Sequence, residues 1–340
     1  MFDLVVVEHI TIMAWLLFCS DGNGIITAAA SAHKRTAERR EPSTRWTHTV
    51  CAKREQMKDE IERLEQVYGG VGVDLSAQIE RYHRGLNAFV ARYGPGEVTA
   101  FRAPGRVNLI GEHTDYHHGY VLPVALDRDI LLFARRRADA RVRLANVEPE
   151  FGDRAFTIST SIPMQPVGDW ANYIQGAAQL LEQECGPGLR GMDVLVDGAP
   201  PLGVPRGAGL SSSSALTVAA AVALAELNGL PLEGAELAER CSRAEWYVGT
   251  RGGVMDHFAS LLSRRDHALL LDCRPGPDGY AHGHVPLPPG HAVMVVDSGV
   301  RHRNTGPHYN RRVAEGRIGI HLLRARYAGI TRRSPLCCGK

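Results

Sequence analysis

The sequence predicts an α+β or α/β architecture, and three observations carry that prediction. Segments with apolar residues at helical spacing alternate with short strand-like runs along most of the chain. No internal repeat organises that mixture into stacked units. The chain has 340 residues, 44% of them hydrophobic, which is enough for sizeable cores and suggests roughly two domains of ~150 residues.

In chain order, residues 1–56 are expected to form a poorly patterned or disordered extension. Its apolar run LVVVEHITIMAWLLFC (Leu4 to Cys19) has no basic segment before it and is interrupted by Glu8 and His9. It is read neither as a secretory signal nor as a spanning helix, which needs ~20 apolar residues. The following TAAASAHKRTAERREPSTRWTHTV is polar, basic and aperiodic. Helical pattern begins at Met57, a sensible start for a compact domain. Leu75, Ile79, Tyr82, Leu86 and Phe89 then mark a helix that Gly94 ends.

EVTAFRAPGRVNLIGEH reads as a strand entering a loop, and GYVLPVAL, DILLFARRR and ARVRLANVE as further strands. DWANYIQGAAQLLEQE is a helix with Asp169 as N-cap and Gly186 after it. GMDVLVDGAPP is a strand and turn. ALTVAAAVALAELNG is an Ala-rich helix stopped at Asn228-Gly229, and EGAELAERCSRAEWYVG is another helix. DHALLLDCR and HAVMVVDSG are strands, and YNRRVAEGRIGIHLLRARY is the last helix. Asn310, Arg311 and Arg312 are read as its solvated start.

The net charge is +2, from 39 basic and 37 acidic residues. That balance gives no case for nucleic acid or a membrane surface and favours a small-molecule partner. The seven cysteines are scattered and lack metal spacing. They read as free thiols of a reducing, cytoplasmic compartment.

Three stretches carry chemistry. GRVNLIGEHTDYHHGYVLP (Gly105 to Pro123) places Arg106, Glu112, His113 and Asp115 within ten positions, among residues of turn chemistry. It is too polar for a core strand and too dense in ionisable groups for a plain loop. PPLGVPRGAGLSSSSALTVAAAVAL (Pro200 to Leu224) is a Pro/Gly-rich loop ending in four serines at the start of a helix. Gly207 and Gly209 let backbone N–H groups approach an anion, and the helix N-terminus favours phosphate. The plainer alternative is a Gly-rich turn with serine capping a core helix. AEWYVGTRGGVMDHFASLL (Ala244 to Leu262) holds Glu245 in an apolar helical pattern and Asp256 after a Gly-Gly turn. Glu245 is either solvent-facing or a ligand for Mg²⁺, a hard cation that takes oxygen donors. Asp256 is either an N-cap or a base or charge partner for a substrate hydroxyl.

Together with WANYIQG, HALLLDCR, VMVVDSGVRHRNTG and YNRRVAE, these stretches resemble the galactokinase family of the GHMP small-molecule kinase superfamily, from about Leu75 to Tyr327. The resemblance implies an α+β fold. A GHMP-kinase N-terminal domain, ribosomal-protein-S5-domain-2-like, would span 57–290. Only the start of a ferredoxin-like C-terminal domain, with an unrelated tail, would follow over 291–340. It implies ATP-dependent phosphorylation of D-galactose at the C1 hydroxyl, with Mg²⁺.

By the same resemblance, Arg106 and Asp256 are the catalytic pair. Glu112, His113, Asp115, Gly253 and Tyr309 hold the sugar. Gly207, Gly209, Ser211, Ser212 and Ser213 cradle ATP phosphates, Trp170 lies at the adenine pocket, and Ser213 and Glu245 ligate the metal. His257 stands where the family often has Gln. The family's third glycine-rich motif, GGGFGG-like, is absent from the 340 residues, and the likeness dissolves near Ala328. The chain is therefore expected to be extended at its N-terminus, truncated at its C-terminus and slow as a kinase. The alternatives are a non-catalytic galactose/ATP-binding protein and an inactive galactokinase fragment. The presence of both Arg106 and Asp256 speaks against an evolved loss of chemistry.

Overall fold

Alternation along the central strands explains how the core is divided. Val98 and Ala100 point to one side and Phe101 and Ala103 to the other. Leu131 and Phe133 oppose Ile130, Leu132 and Ala134, and Leu195 opposes Val194 and Val196. A strand whose two faces are both apolar must be covered on both sides.

The computed structural model describes residues 12–16, 45–48, 64–69, 74–232, 234–291, 293–297 and 307–327. Its strands are β1 (Ile12–Leu16), β2 (Arg45–His48), β3 (Val98–Asn108), β4 (Tyr120–Val121), β5 (Pro123–Arg136) and β6 (Arg141–Asn146), followed by β7 (Arg154–Thr157), β8 (Met192–Asp197), β9 (His267–Gly276), β10 (Gly279–Pro286) and β11 (Val293–Asp297). Its helices are α1 (Ser76–Tyr93), α2 (Ala171–Cys185), α3 (Ser212–Asn228), α4 (Gly234–Ala244), α5 (Met255–Leu262) and α6 (Pro307–Arg326).

The main sheet is six-stranded, in the order β2-β3-β5-β8-β6-β7. Its β6–β8 pair is parallel and the others are antiparallel. Helix α1 packs Tyr82 and Phe89 on one face. Helices α2 and α3 cover the other. Every residue of α3 from Ser214 to Ala225 is buried, as expected of an apolar helix enclosed on all sides. A second sheet, β10-β9-β4, packs with α4 and α5 around Phe258, Leu269 and Leu271. The α+β expectation is borne out.

Several sequence-based readings are adjusted. Residues 119–126 and 129–137 read as separate runs, but one 14-residue strand, β5, joins the second half of the first to nearly all of the second. Glu245 lies in a 3-10 turn, Glu245–Val248, and not within the preceding helix. Trp170, not Asp169, is the N-cap residue of α2, and Asp169 just before it accepts from the Ala171 N–H at 2.9 Å through Oδ1. Asn310 is not a solvated helix start. Its Nδ2 donates to Gly249 O at 2.7 Å and its Oδ1 accepts from Arg251 N at 3.0 Å. Arg311 and Arg312 are exposed and pair with Glu315.

Most of 1–56 lies outside the described residues. Within it, β1 pairs with β11 and β2 with β3. Among the described residues Cys185, Cys241 and Cys273 are free thiols, in agreement with the reading of the cysteines. No described helix is long and apolar enough to cross a membrane.

Buried charge ties α1 to the start of the glycine-serine loop. Arg81, 1% exposed, reaches Asp129 at 2.8 Å and Asp197 at 3.3 Å. Its Nη1 also donates to Leu202 O, which accepts from the Asp129 N–H as well.

Candidate active site

The site begins with a break in strand pairing. Between Pro104 and Arg106 the β3–β5 register shifts, and a bulge of this kind re-aims a side chain. A Cβ at Gly105 would lie 2.7 Å from both Leu210 O and a Val204 methyl. Only glycine lets β3 approach the glycine-serine loop so closely. Arg106 then donates its backbone N–H to Leu210 O and its Nη1 to Gly209 O at 2.6 Å. Its Nε and Nη2 reach Asp256 Oδ1 at 2.8 and 2.7 Å.

Asp256 is the second residue of α5. Its other oxygen accepts from Ser211 Oγ at 2.5 Å and from Ser214 Oγ at 3.4 Å. Burial opposes ionisation of this carboxyl. Arg106 and the Ser211 hydroxyl outweigh burial and hold its pKa below the ordinary value. The bland reading of Asp256 as a mere helix cap is set aside, because its carboxylate joins β3 to the serine loop.

Asp115 lies beside this pair. Burial, then repulsion from Asp256, raises its pKa to about 6. Gly253 packs against it so tightly that a Cβ would meet the carboxylate and come within 2.7 Å of the Asp115 carbonyl carbon. Tyr309, the third residue of α6, closes the same corner. Its ring stacks edge-on with Tyr116 at 5.5 Å and lies 6.2 Å from the His113 ring. Burial, then Asp115 and Asp256, pushes its phenol far above the usual range.

His113 shares a hydrogen bond between Nδ1 and the Tyr116 hydroxyl. It holds a left-handed backbone, φ 59°, which is uncommon without glycine. Burial lowers its pKa. Glu112 is exposed and accepts from Asn108 Nδ2 at 3.0 Å. Arg106, Asp115, Gly253, Tyr309 and Asp256 thus converge, with His113 linked through Tyr116 and Tyr309 and Glu112 on the open rim.

The loop before α3 turns at Gly207 and Gly209, both with positive φ, and at Ser211, φ 61°. Ser212 and Ser213 are the first residues of α3 and are partly exposed. Their position at a helix N-terminus suits phosphate oxygens. Ser211 differs: it is buried, and its hydroxyl is engaged by Asp256.

Glu245 is 8% exposed, so its carboxylate is buried and not solvent-facing. Its Oε1 has no hydrogen-bond partner. Tyr173 connects it to the loop by hydrogen bonding to Ser213 and lying within the field of Glu245; burial, then Glu245, raises that phenol to about 12. An orphaned carboxylate oxygen linked to a serine hydroxyl fits a hard divalent cation. Among the described residues no three His, Cys, Asp or Glu side chains form a metal cage. A cation here would therefore draw further oxygens from nucleotide or water.

Trp170 packs on the core and donates Nε1 to Phe151 O at 3.1 Å, with an edge-on contact between the rings. A small cleft lined by Met164, Val167, Asp169, Asn172, Tyr173 and Val248 among others opens near the start of α2, and Trp170 is not part of its lining. Sequence reasoning missed Tyr173, Tyr116, Asn108 and Ser214. Asn108, Tyr116 and Ser214 lie within the three chemistry-bearing stretches and could have been included, and Tyr173 lies within the quoted WANYIQG. Nothing in the spacing marks Tyr173.

With this geometry in place, the comparisons are specific. The galactokinase galactose-binding signature matches residues 87–136, and the GHMP kinases N terminal domain matches residues 172–264. A galactokinase of Chloroflexus aggregans is 43% identical over 238 residues, covering 70% of this chain and 58% of that protein. A galactokinase of Roseiflexus sp. is 42% identical over 243 residues, covering 71% and 59%. The crystal structure of Lactococcus lactis galactokinase complexed with galactose matches with a TM-score of 0.63 at 28% identity, covering 73% of this chain and 62% of that one. The chain spans about 58% of the length of the curated relatives it matches.

Proposed function

Because the chain belongs to the galactokinase family, we propose that its site transfers the γ-phosphoryl group of ATP to the C1 hydroxyl of D-galactose. The observation that carries this reading is the Arg106–Asp256 pair. It joins the Asp115–Gly253–Tyr309 corner to the glycine-serine loop, with Ser211 bonded to the same carboxylate. One side of the pair suits a sugar and the other suits a phosphate.

Asp256 accepts a hydrogen bond from the C1 hydroxyl and orients it in line with the γ-phosphorus. Its lowered pKa makes it a weak base, so it takes the proton late, as the new P–O bond forms and the bond to the leaving ADP oxygen breaks. A loose phosphoryl-transfer transition state demands little early activation of the nucleophile. Arg106 stabilises charge on the transferring group. Glu112, His113, Asp115, the Gly253 backbone and Tyr309 hold sugar hydroxyls. Asp115 accepts from them when ionised, and an epimer that leaves such a half-buried acceptor unmet is disfavoured.

Gly207, Gly209, Ser212 and Ser213 cradle phosphate oxygens. Ser211 fixes the catalytic carboxylate besides bordering that cradle. Trp170 is assigned to the adenine side of the site on the family resemblance. Ser213 and Glu245 would hold Mg²⁺, which offsets phosphate charge when bound.

The test is ³¹P NMR of the protein with ATP, Mg²⁺ and D-galactose. A galactose 1-phosphate signal that is lost in Asp256→Asn supports the reading. No such product from the wild type, or an equal yield from the variant, refutes it.

A further inference from the structure

His257 has no part in the phosphoryl transfer as described, yet its surroundings are unusual. It is 2% exposed, and neither of its ring nitrogens has a hydrogen-bond partner. Buried polar atoms are almost always paired, so two orphaned nitrogens on one ring call for an explanation. Nε2 lies 3.3 Å from Glu245 Oε1, an atom that is itself buried and without a hydrogen-bond partner. The two atoms face each other at ion-pair distance but are misaligned for a hydrogen bond.

That spacing has a second meaning. Two donors bound at ~2.1 Å from one cation lie roughly 3.0 Å apart at a right angle and ~3.4 Å apart at a tetrahedral angle. The 3.3 Å separation falls within that range. The helix geometry supports the placement. Asp256 and His257 are adjacent on α5, so one faces Arg106 while the other faces Glu245.

We propose that His257 Nε2 is a nitrogen ligand that joins Glu245 in binding the divalent cation of this site. The inference rests on the kinase reading, which places a nucleotide-bound cation there. Its consequence is a shift in metal preference. Mg²⁺ favours oxygen donors, whereas an imidazole favours later first-row metals. The site should therefore hold Mn²⁺ and Co²⁺ more tightly, relative to Mg²⁺, than a site with oxygen donors alone.

The test uses the whole chain labelled with ¹⁵N-histidine, loaded with Mn²⁺ and ADP, and read by pulsed electron paramagnetic resonance. The expected result is a directly bound histidine nitrogen that changes signature with the isotope and vanishes in His257→Gln. In that variant the ratio of Mg²⁺ to Mn²⁺ dissociation constants should fall by about tenfold, a change of the size seen when metal-site partners are lost. The wild-type spectrum needs no variant, so a misfolded His257→Gln does not obscure the answer. Bound Mn²⁺ without a histidine nitrogen, or a nitrogen signal that persists in His257→Gln, overturns the proposal and leaves the kinase reading intact. Failure of the wild type to bind Mn²⁺ with ADP overturns both.

Discussion

Replacing Asp115 by Asn should stabilise the ligand-free chain at neutral pH while weakening its hold on galactose. The Asp115 pKa rises from 3.8 to about 6, first through burial and then through the nearby Asp256 charge. A raised carboxyl pKa means that the folded state prefers the protonated form. Its contribution to stability is fully present below pH ~4 and is lost as pH rises through about 6. A rise from 3.8 to about 6 corresponds to roughly 3 kcal/mol. Asp115 is only half-buried, and solvent screening brings the expected effect to about 1–3 kcal/mol.

Urea unfolding of wild type and Asp115→Asn at pH 4, 6 and 7.5 measures this directly. The variant should be the more stable protein at pH 7.5, by that amount, and the two curves should converge near pH 4. A variant less stable than wild type at pH 7.5, or a difference that does not change with pH, would refute the reasoning. The same protonation implies that galactose affinity of the wild type falls as pH drops below 6.

Three other outcomes follow from the geometry. Asp256→Asn leaves the Arg106 guanidinium, 14% exposed, without its anion; unfolding should cost about 1–3 kcal/mol less, and galactose 1-phosphate formation should fall at least ~10³-fold by coupled assay. The stabilising effect of that ion pair holds at neutral pH and disappears as pH falls through the lowered Asp256 pKa. Gly253→Ala places a Cβ against the Asp115 backbone, where no rotamer can relieve it; titration calorimetry should show galactose affinity reduced more than tenfold with ADP affinity largely kept. Arg81→Met leaves buried Asp197 without its ion-pair partner and Asp129 with Arg102 alone; urea unfolding should show a loss of about 3–5 kcal/mol.

Much of the candidate site was legible because its residues cluster locally in the chain. Arg106, Glu112, His113 and Asp115 fall within ten residues, in a segment whose turns are written in Gly, Asn and Asp. The serine loop announced itself by glycines ahead of an apolar helix. What sequence could not show was how contacts divide the serines. Ser211 bonds Asp256 because a bulge brings β3 against the loop, and a bulge leaves no periodic signature. Tyr173 reads as one more residue of α2 until the fold sets it beside Ser213 and Glu245. Strand β7 is only four residues long, and β10 is mostly exposed and interrupted by glycines, so neither carried a readable alternation. Asn310 read as solvated because its partners, Gly249 and Arg251, lie some sixty residues away.

Isothermal titration of the chain with D-galactose and with its C4 epimer D-glucose tests the central claim most directly. The account predicts saturable heat with galactose, much weaker binding of glucose, and loss of the galactose signal in Asp115→Ala. Equal binding of the two sugars, or galactose binding that survives Asp115→Ala, would contradict the assignment of this corner as the sugar site.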